Sequence, residues 1–243
     1  MKNQYFGDKR DYFKYDLMIS FAEALSGIER FTFIPMLTPN DGSGDGQQTA
    51  YRQGGGDAAL YKFLRQCATQ ERRSIIHLRD FLIEQFRFEY CHYHDESYFS
   101  HAERGAYFQN VPNEYLQKAV TLVDPDNGLE IRSMRPRTGH KYVRYDEVNK
   151  IFLRMSRTSI LVIFQYFPRV QRQPYLRRRF QELHSVIQCP FPMAISDNEV
   201  ALIILAKSNE SRTRVLQLMN DYTSRNERLW VFDGFVDPLV SPI

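Results

Sequence analysis

Cysteine is scarce in this chain. Cys67, Cys91 and Cys189 are an odd set at wide spacing, which argues against a disulfide framework and fits a reducing compartment. No run of about eighteen apolar residues occurs, so no transmembrane helix and no membrane partner are expected. The opening segment, Met1-Lys2-Asn3-Gln4-Tyr5-Phe6-Gly7-Asp8, has no apolar stretch of the signal-peptide kind, and the expected location is cytoplasmic. No Gly-Lys-Ser/Thr follows a glycine-rich loop, and Gly42, Gly44 and Gly46 lack the spacing of a dinucleotide fingerprint. No Gly-x-Ser-x-Gly elbow is present, which disfavours a serine hydrolase. His92, His94 and His101 lie near Cys91, but no second ligand pair at metal-site spacing accompanies them. Neither a metal nor a cofactor is expected. Charge is nearly balanced, at 32 Lys+Arg against 29 Asp+Glu, so overall charge does not announce a nucleic-acid binder. Repeats, linkers and low-complexity tracts are missing, and a single domain over residues 1–243 is the simplest reading.

What is abundant is apolar and aromatic. Hydrophobic residues make up 43% of the chain, with 18 Phe and 15 Tyr against one Trp, enough for a substantial core. Apolar periodicity predicts helices over Tyr12 to Leu25, Ala58 to Cys67 (N-capped by Asp57), Ser74 to Phe86, Asn113 to Lys118, Tyr145 to Arg154, Gln171 to His184 and Glu210 to Tyr222. Phe31 to Leu37, Ala119 to Val123 and Ser159 to Phe164 are near-continuous apolar runs, as expected for strands covered on both faces. Phe86 to Cys91 alternates and predicts a further strand. Ala194-Ile195 and Val200 to Ala206 flank a polar turn and predict a hairpin. Strands alternating with helices predict an α/β fold: three layers, α/β/α, with a mostly parallel central sheet and an antiparallel hairpin at its C-terminal edge.

In open α/β sheets ligands bind beyond the carboxyl ends of the strands. Three strands here run into unusual polar loops. Leu37 leads to Thr38-Pro39-Asn40-Asp41-Gly42, with Asp45 beyond. Val123 leads to Asp124-Pro125-Asp126-Asn127-Gly128. Phe164 leads to Gln165-Tyr166-Phe167-Pro168-Arg169. Parallel strands would bring all three loops to one rim. In the second loop, Pro125 stiffens the backbone and Gly128 permits a positive φ, so the acidic side chains would be held in place. The alternative there is an Asx turn that merely closes the strand. The arginines Arg169, Arg172, Arg177, Arg178 and Arg179, and a second group of Arg72, Arg73 and Arg79, form either phosphate contacts or solvated helix faces.

The segments Asn3-Gln4-Tyr5-Phe6-Gly7-Asp8, Asp11-Tyr12-Phe13-Lys14-Tyr15, Met36 to Gly42 with Asp45-Gly46, Asp124-Pro125-Asp126-Asn127-Gly128-Leu129-Glu130, Lys141-Tyr142-Val143 and Gln165 to Arg169 together resemble a family of bacterial and mobile-element proteins. The layout is also similar to the uracil-DNA glycosylase superfamily, including anti-phage glycosylases that excise glucosylated hydroxymethylcytosine. The chain carries neither Gly-Gln-Asp-Pro-Tyr nor His-Pro-Ser-Pro of that superfamily. The resemblance implies a DNA partner, modified phage DNA in particular, and a base-flipping hydrolysis without metal. It implies Asp41 or Asp45 in the water-activating role and Asp124, Asp126 or Asn127 reading the base, with Asp41 and Asp126 taken as the catalytic pair. Tyr5, Phe6, Asp8, Lys14, Asn40, Asp45, Asp124, Asn127, Lys141 and Gln165 would line the substrate site. Tyr166, Arg169 and Arg172 would sit on the DNA. Independently, a strand ending in carboxylates suits a cytosine-type base, whose exocyclic amine is a donor. Rival expectations are a methyltransferase-like enzyme, from an Asp-Pro loop that resembles Asp-Pro-Pro-Tyr, a metal-dependent nuclease using Asp124 and Asp126, and a binding protein without turnover.

Overall fold

The computed structural model describes residues 1–44, 46–94, 97–187, 189 and 192–234. The chain enters through a short 3-10 turn, Asn3–Tyr5, and the helix α1, Lys9–Ala24. There follow β1 (Arg30–Pro35), α2 (Ala58–Thr69), α3 (His77–Gln85), β2 (Glu89–His92), α4 (Arg104–Gln109) and β3 (Ala119–Asp124). Next are the two-residue strands β4 (Gly128–Leu129) and β5 (Tyr142–Val143), then α5 (Tyr145–Arg154), β6 (Ile160–Tyr166) and α6 (Arg172–Ile187). The hairpin β7 (Pro192–Ser196) and β8 (Val200–Ala206), α7 (Asn209–Ser224) and β9 (Trp230–Asp233) complete the described chain.

The main sheet has the order β2-β1-β3-β6-β8-β7-β9. Strands β2, β1, β3 and β6 run parallel, while β8 is antiparallel to both β6 and β7, and β9 is antiparallel to β7. The protein is therefore α/β with a mixed sheet, parallel at its centre and antiparallel toward the C-terminal side. The expected hairpin is present, but its second strand lies inward, and β9 extends the sheet beyond it.

Strand alternation sorts the core onto the two faces. Phe31, Phe33, Val120 and Leu122 pack with α1, α2, α3 and α7, whereas Ile34, Val123, Leu161 and Ile163 pack with α4, α5 and α6. With both faces covered, β3 and β8 are buried along their whole length, which is why they read as unbroken apolar runs in the sequence.

The structure differs from the sequence expectation mainly at element ends. Helix α1 begins at Lys9 because the Asp8 carboxylate caps it, accepting from the amides of Arg10 and Asp11 at 2.9 Å each. The segment expected as a helix at 113–118 contains only a 3-10 turn, Glu114–Leu116. The strand expected from Phe86 begins at Glu89. No helix among the described residues is long and apolar enough to cross a membrane.

Candidate functional site

Because β1, β3 and β6 are parallel, the loops that follow them emerge at one end of the sheet. Hydrogen bonds tie the three together. The Met36 amide donates to the Asp124 carbonyl at 3.2 Å, and the Tyr166 amide donates to the Asn127 carbonyl at 3.0 Å. The Thr38 hydroxyl donates to the Asp126 carboxylate at 3.1 Å. Against this rim packs the start of α1, and between them lies a cavity of about 170 Å³ lined by Tyr5, Asp8, Arg10, Asp11, Lys14, Asp124, Pro125, Asp126, Asn127, Phe164 and Tyr166.

Its floor is a buried charge cluster. The Lys14 ammonium donates to the Asp124 carboxylate at 2.6 Å and pairs with Asp11 Oδ1 at 2.7 Å. All three groups are nearly inaccessible, at 4% exposure or less. Asp8, Asp11 and Lys14 are spaced three apart on α1 and so share the helix face toward β3. Burial pushes the Asp11 carboxyl up to about 7, with the Lys14 charge opposing and the charges of Asp8 and Asp124 adding. Burial likewise raises Asp8, against the pull of its cap hydrogen bonds and of Lys14. Asp11 Oδ2 has no hydrogen-bond partner among the described residues. The Lys14 ammonium also lies 5.0 Å from the centre of the Phe164 ring.

A second charge cluster closes one side. The Asp126 side chain is 2% exposed; it pairs with the Met1 α-amino group and accepts from Lys2 at 2.8 Å. Burial alone would raise its pKa, but these cations outweigh it and hold the carboxyl down to about 2. Lys2 in turn donates to the Tyr5 hydroxyl at 3.2 Å and lies 3.5 Å from Asp41.

Several expected site residues stand elsewhere. Asp41 is 42% exposed outside the cavity, reached only through Lys2 and fixed by Gln4 and Ser43. Asn40 is exposed and accepts the Gln4 amide at 3.0 Å. Phe6 is fully buried against Tyr15 and Phe63, so it belongs to the core and cannot stack on a ligand. Gln165 is 1% exposed and its amide is fully occupied. It donates to the carbonyls of Asn127 and Tyr166 and to the Tyr175 hydroxyl, and accepts the Leu129 amide at 3.0 Å. Its work is to hold the loop after β3. Gly128, at φ +117°, makes room for it, since a Cβ there would meet the Gln165 amide at 2.5 Å. Lys141 enters through its carbonyl, which accepts the Asn127 amide. Asp45 lies outside the described residues.

On the outer lip, Tyr166 is 42% exposed, with the Arg10 guanidinium 5.2 Å from its ring centre. Arg169 is exposed. Arg172 is engaged with the carbonyls of Pro168, Val170 and Asn198, and so shapes the loop after β6. Arg179, from the basic segment, is buried and pairs with Glu182, and Arg73 is spent on the carbonyls of Phe6 and Gly46. Arg10, Asp11, Pro125 and Phe164 line the cavity without being among the expected site residues. The three-residue spacing of Asp8, Asp11 and Lys14 was the available signal.

Among the described residues no cluster of His, Cys, Asp and Glu could hold a metal ion. The carboxylates of Asp124 and Asp126 are already matched by Lys14 and Lys2.

No family model and no curated protein matches the chain. Among solved structures it is similar to a crystal structure of protein LPL1258 from Legionella pneumophila str. Philadelphia 1, of family model DUF519. The identity is 9% over 94% of this chain and 97% of that one, with a TM-score of 0.43.

Proposed function

We propose that the chain is a DNA glycosylase that everts a modified cytosine, glucosylated hydroxymethylcytosine being the preferred candidate, and hydrolyses its N-glycosidic bond in defence against phage. The observation that carries this reading is the cavity at the strand ends. It is of single-nucleobase size, it is walled by Tyr5, Phe164 and Tyr166, and carboxylates lie at its floor. Aromatic walls suit the faces of a flipped base. The Asp124 carboxylate suits the exocyclic amine of cytosine, which an imide base such as uracil lacks. Layered helices over a parallel sheet centre agree with a uracil-DNA glycosylase-like plan, which is offered here as an analogy of fold.

In the reaction water adds to C1′, the bond from C1′ to the base nitrogen breaks, and its electron pair leaves with the base. Cytosine is a poor anionic leaving group, so a proton must reach it. Asp126 and Asn127 position the mouth of the cavity, with Asp126 fixed by Lys2. Asp41 adds charge to the rim on the Tyr5 side. The lip carrying Tyr166 and Arg169 meets the DNA backbone.

The test is incubation with glucosylated, hydroxymethylated and plain DNA in EDTA. Release of free base with matching abasic sites is expected. Intact DNA, or cutting that requires magnesium, would sink the glycosylase reading.

A second reading is favoured by one observation. In the sheet, antiparallel β8 is threaded between β6 and β7, a plan used by S-adenosylmethionine-dependent methyltransferases, and β3 ends in Asp124-Pro125. The same cavity would then present an amino-bearing base for methylation. Thermal stabilisation by S-adenosylmethionine, with methyl transfer to DNA or RNA, distinguishes this reading from the first.

A further inference from the structure

The two carboxylates on the cavity floor are bridged by a single ammonium. Lys14 takes Asp11 Oδ1 on one side and Asp124 Oδ2 on the other. That leaves Asp11 Oδ2 buried and without a hydrogen-bond partner among the described residues, on a side chain that lines a space large enough for a ring. An unpaired buried oxygen is costly unless something arrives to satisfy it. Lys14 contacts both carboxylates, and the Met1 α-amino group acts on Asp124 as well, so Asp11 is the less compensated of the two, and a proton on it removes the excess negative charge.

We propose that Asp11 holds one transferable proton and that, with the Asp124 carboxylate beside it, it recognises an amidine edge, the N–C–NH₂ unit of cytosine-type bases. Asp124 accepts from the exocyclic amine and Asp11 Oδ2 donates to the adjacent ring nitrogen. The inference rests on reading the cavity as a nucleobase site. A base with an imide edge offers an N–H where this site presents a donor, so uracil and thymine are rejected by donor facing donor. In the glycosylase reaction the same proton passes from Asp11 to the ring nitrogen as the glycosidic bond breaks. The attacking water returns a proton to the emptied carboxylate, so the site is restored after each turnover and no further reactant is needed.

The surroundings fit this assignment. From its own helix Asp11 is faced by Asp8, Lys14 and Tyr15. Asp124 faces it from β3, and Tyr51 from the segment before α2. Lys14 is the one cation among these, and it is shared with Asp124. Hence Asp11 is the carboxyl that keeps a proton near neutrality.

The experiment measures proton exchange directly on the intact protein. Free cytosine is titrated calorimetrically at pH 8 in phosphate and in Tris, whose ionisation enthalpies differ. Cytosine should bind with uptake of about one proton, and uracil should bind at least about tenfold more weakly. The Asp11→Asn protein should lose the proton uptake and release base from DNA more slowly. If cytosine binds the unaltered protein without taking up a proton, or uracil binds as well as cytosine, the proton-sharing assignment falls while the base cavity stands. If no base binds at all, both fall. Because the proton count is read on the unaltered protein, misfolding of the variant would not rescue the proposal.

Discussion

At the scale of single residues, the site is governed by who neutralises whom. Lys14 lies between two buried carboxylates, and removing it while leaving them in place strands like charges in a low-dielectric interior. Lys14→Met is expected to lower unfolding free energy by about 3–5 kcal/mol at pH 8. The loss should shrink at pH 5, because Asp11, whose folded value is raised from 3.8 to about 7, is protonated there. The sign follows from linkage. Between pH 4 and 7 the folded chain holds a proton that the unfolded chain has released, so the contribution of this group to stability falls as pH rises. Urea titrations at the two pH values check this, and an equal loss at both would contradict it. Much of this cluster was legible. Asp8, Lys14 and Asp124 are candidates from the sequence segments; Asp11 stands in one of those segments without a role, and Arg10 is not singled out. The direction of a polar helix face is set by what the helix packs against, and this is a tertiary fact. Phe6, expected at the substrate site, is instead enclosed by Tyr15 and Phe63, because an aromatic residue in the turn before a helix can face either a ligand or the core, and packing decides which.

At the scale of elements, the turn after β3 is the piece on which the site depends. Its backbone is fixed by Gln165 and Tyr166 from β6 and by the short β4–β5 pairing, Gly128 to Tyr142. Gly128→Ala is expected to cost about 1–3 kcal/mol from its positive φ and the collision with Gln165. It should also weaken cytosine binding, because the loop bearing Asp126 and Asn127 shifts. Chemical denaturation with base titration measures both, and a variant of full stability and affinity would show that this turn is more tolerant than its geometry implies. The long elements were readable from periodicity: α5 and β8 fall at the expected residues. The pieces that escaped are short. Helix α4 has six residues, and β9 has four and pairs with β7 across a long stretch of intervening chain, so neither leaves a local pattern long enough to detect.

At the scale of the whole molecule, the parallel centre of the sheet was predictable from strands alternating with helices, but the order in which β8 and β7 join it was not. Which member of a hairpin pairs inward depends on contacts with β6; the longer apolar run of β8, seven residues against the five of β7, favours the inward place without fixing it. The same scale governs the proposed DNA binding. The chain carries a net charge of only +3, and Arg172 and Arg179 are committed to internal partners. Electrostatic attachment therefore falls to exposed groups at the lip. Arg169→Ala is expected to reduce the slope of log K against log salt by about 1 without changing base preference. Affinity measured across a salt series decides it, and an unchanged slope would place the DNA path elsewhere.

The cavity is walled by stretches far apart along the chain: Lys14 and Asp124 are 110 residues from each other, and Phe164 and Tyr166 come later still. During synthesis, helix α1 leaves the ribosome with Lys14 facing Asp11 alone, and stays so until β3 and then β6 have emerged. A nascent or prematurely terminated product thus has no chamber to work with. Translation itself would keep the proposed activity silent until most of the polypeptide has been made.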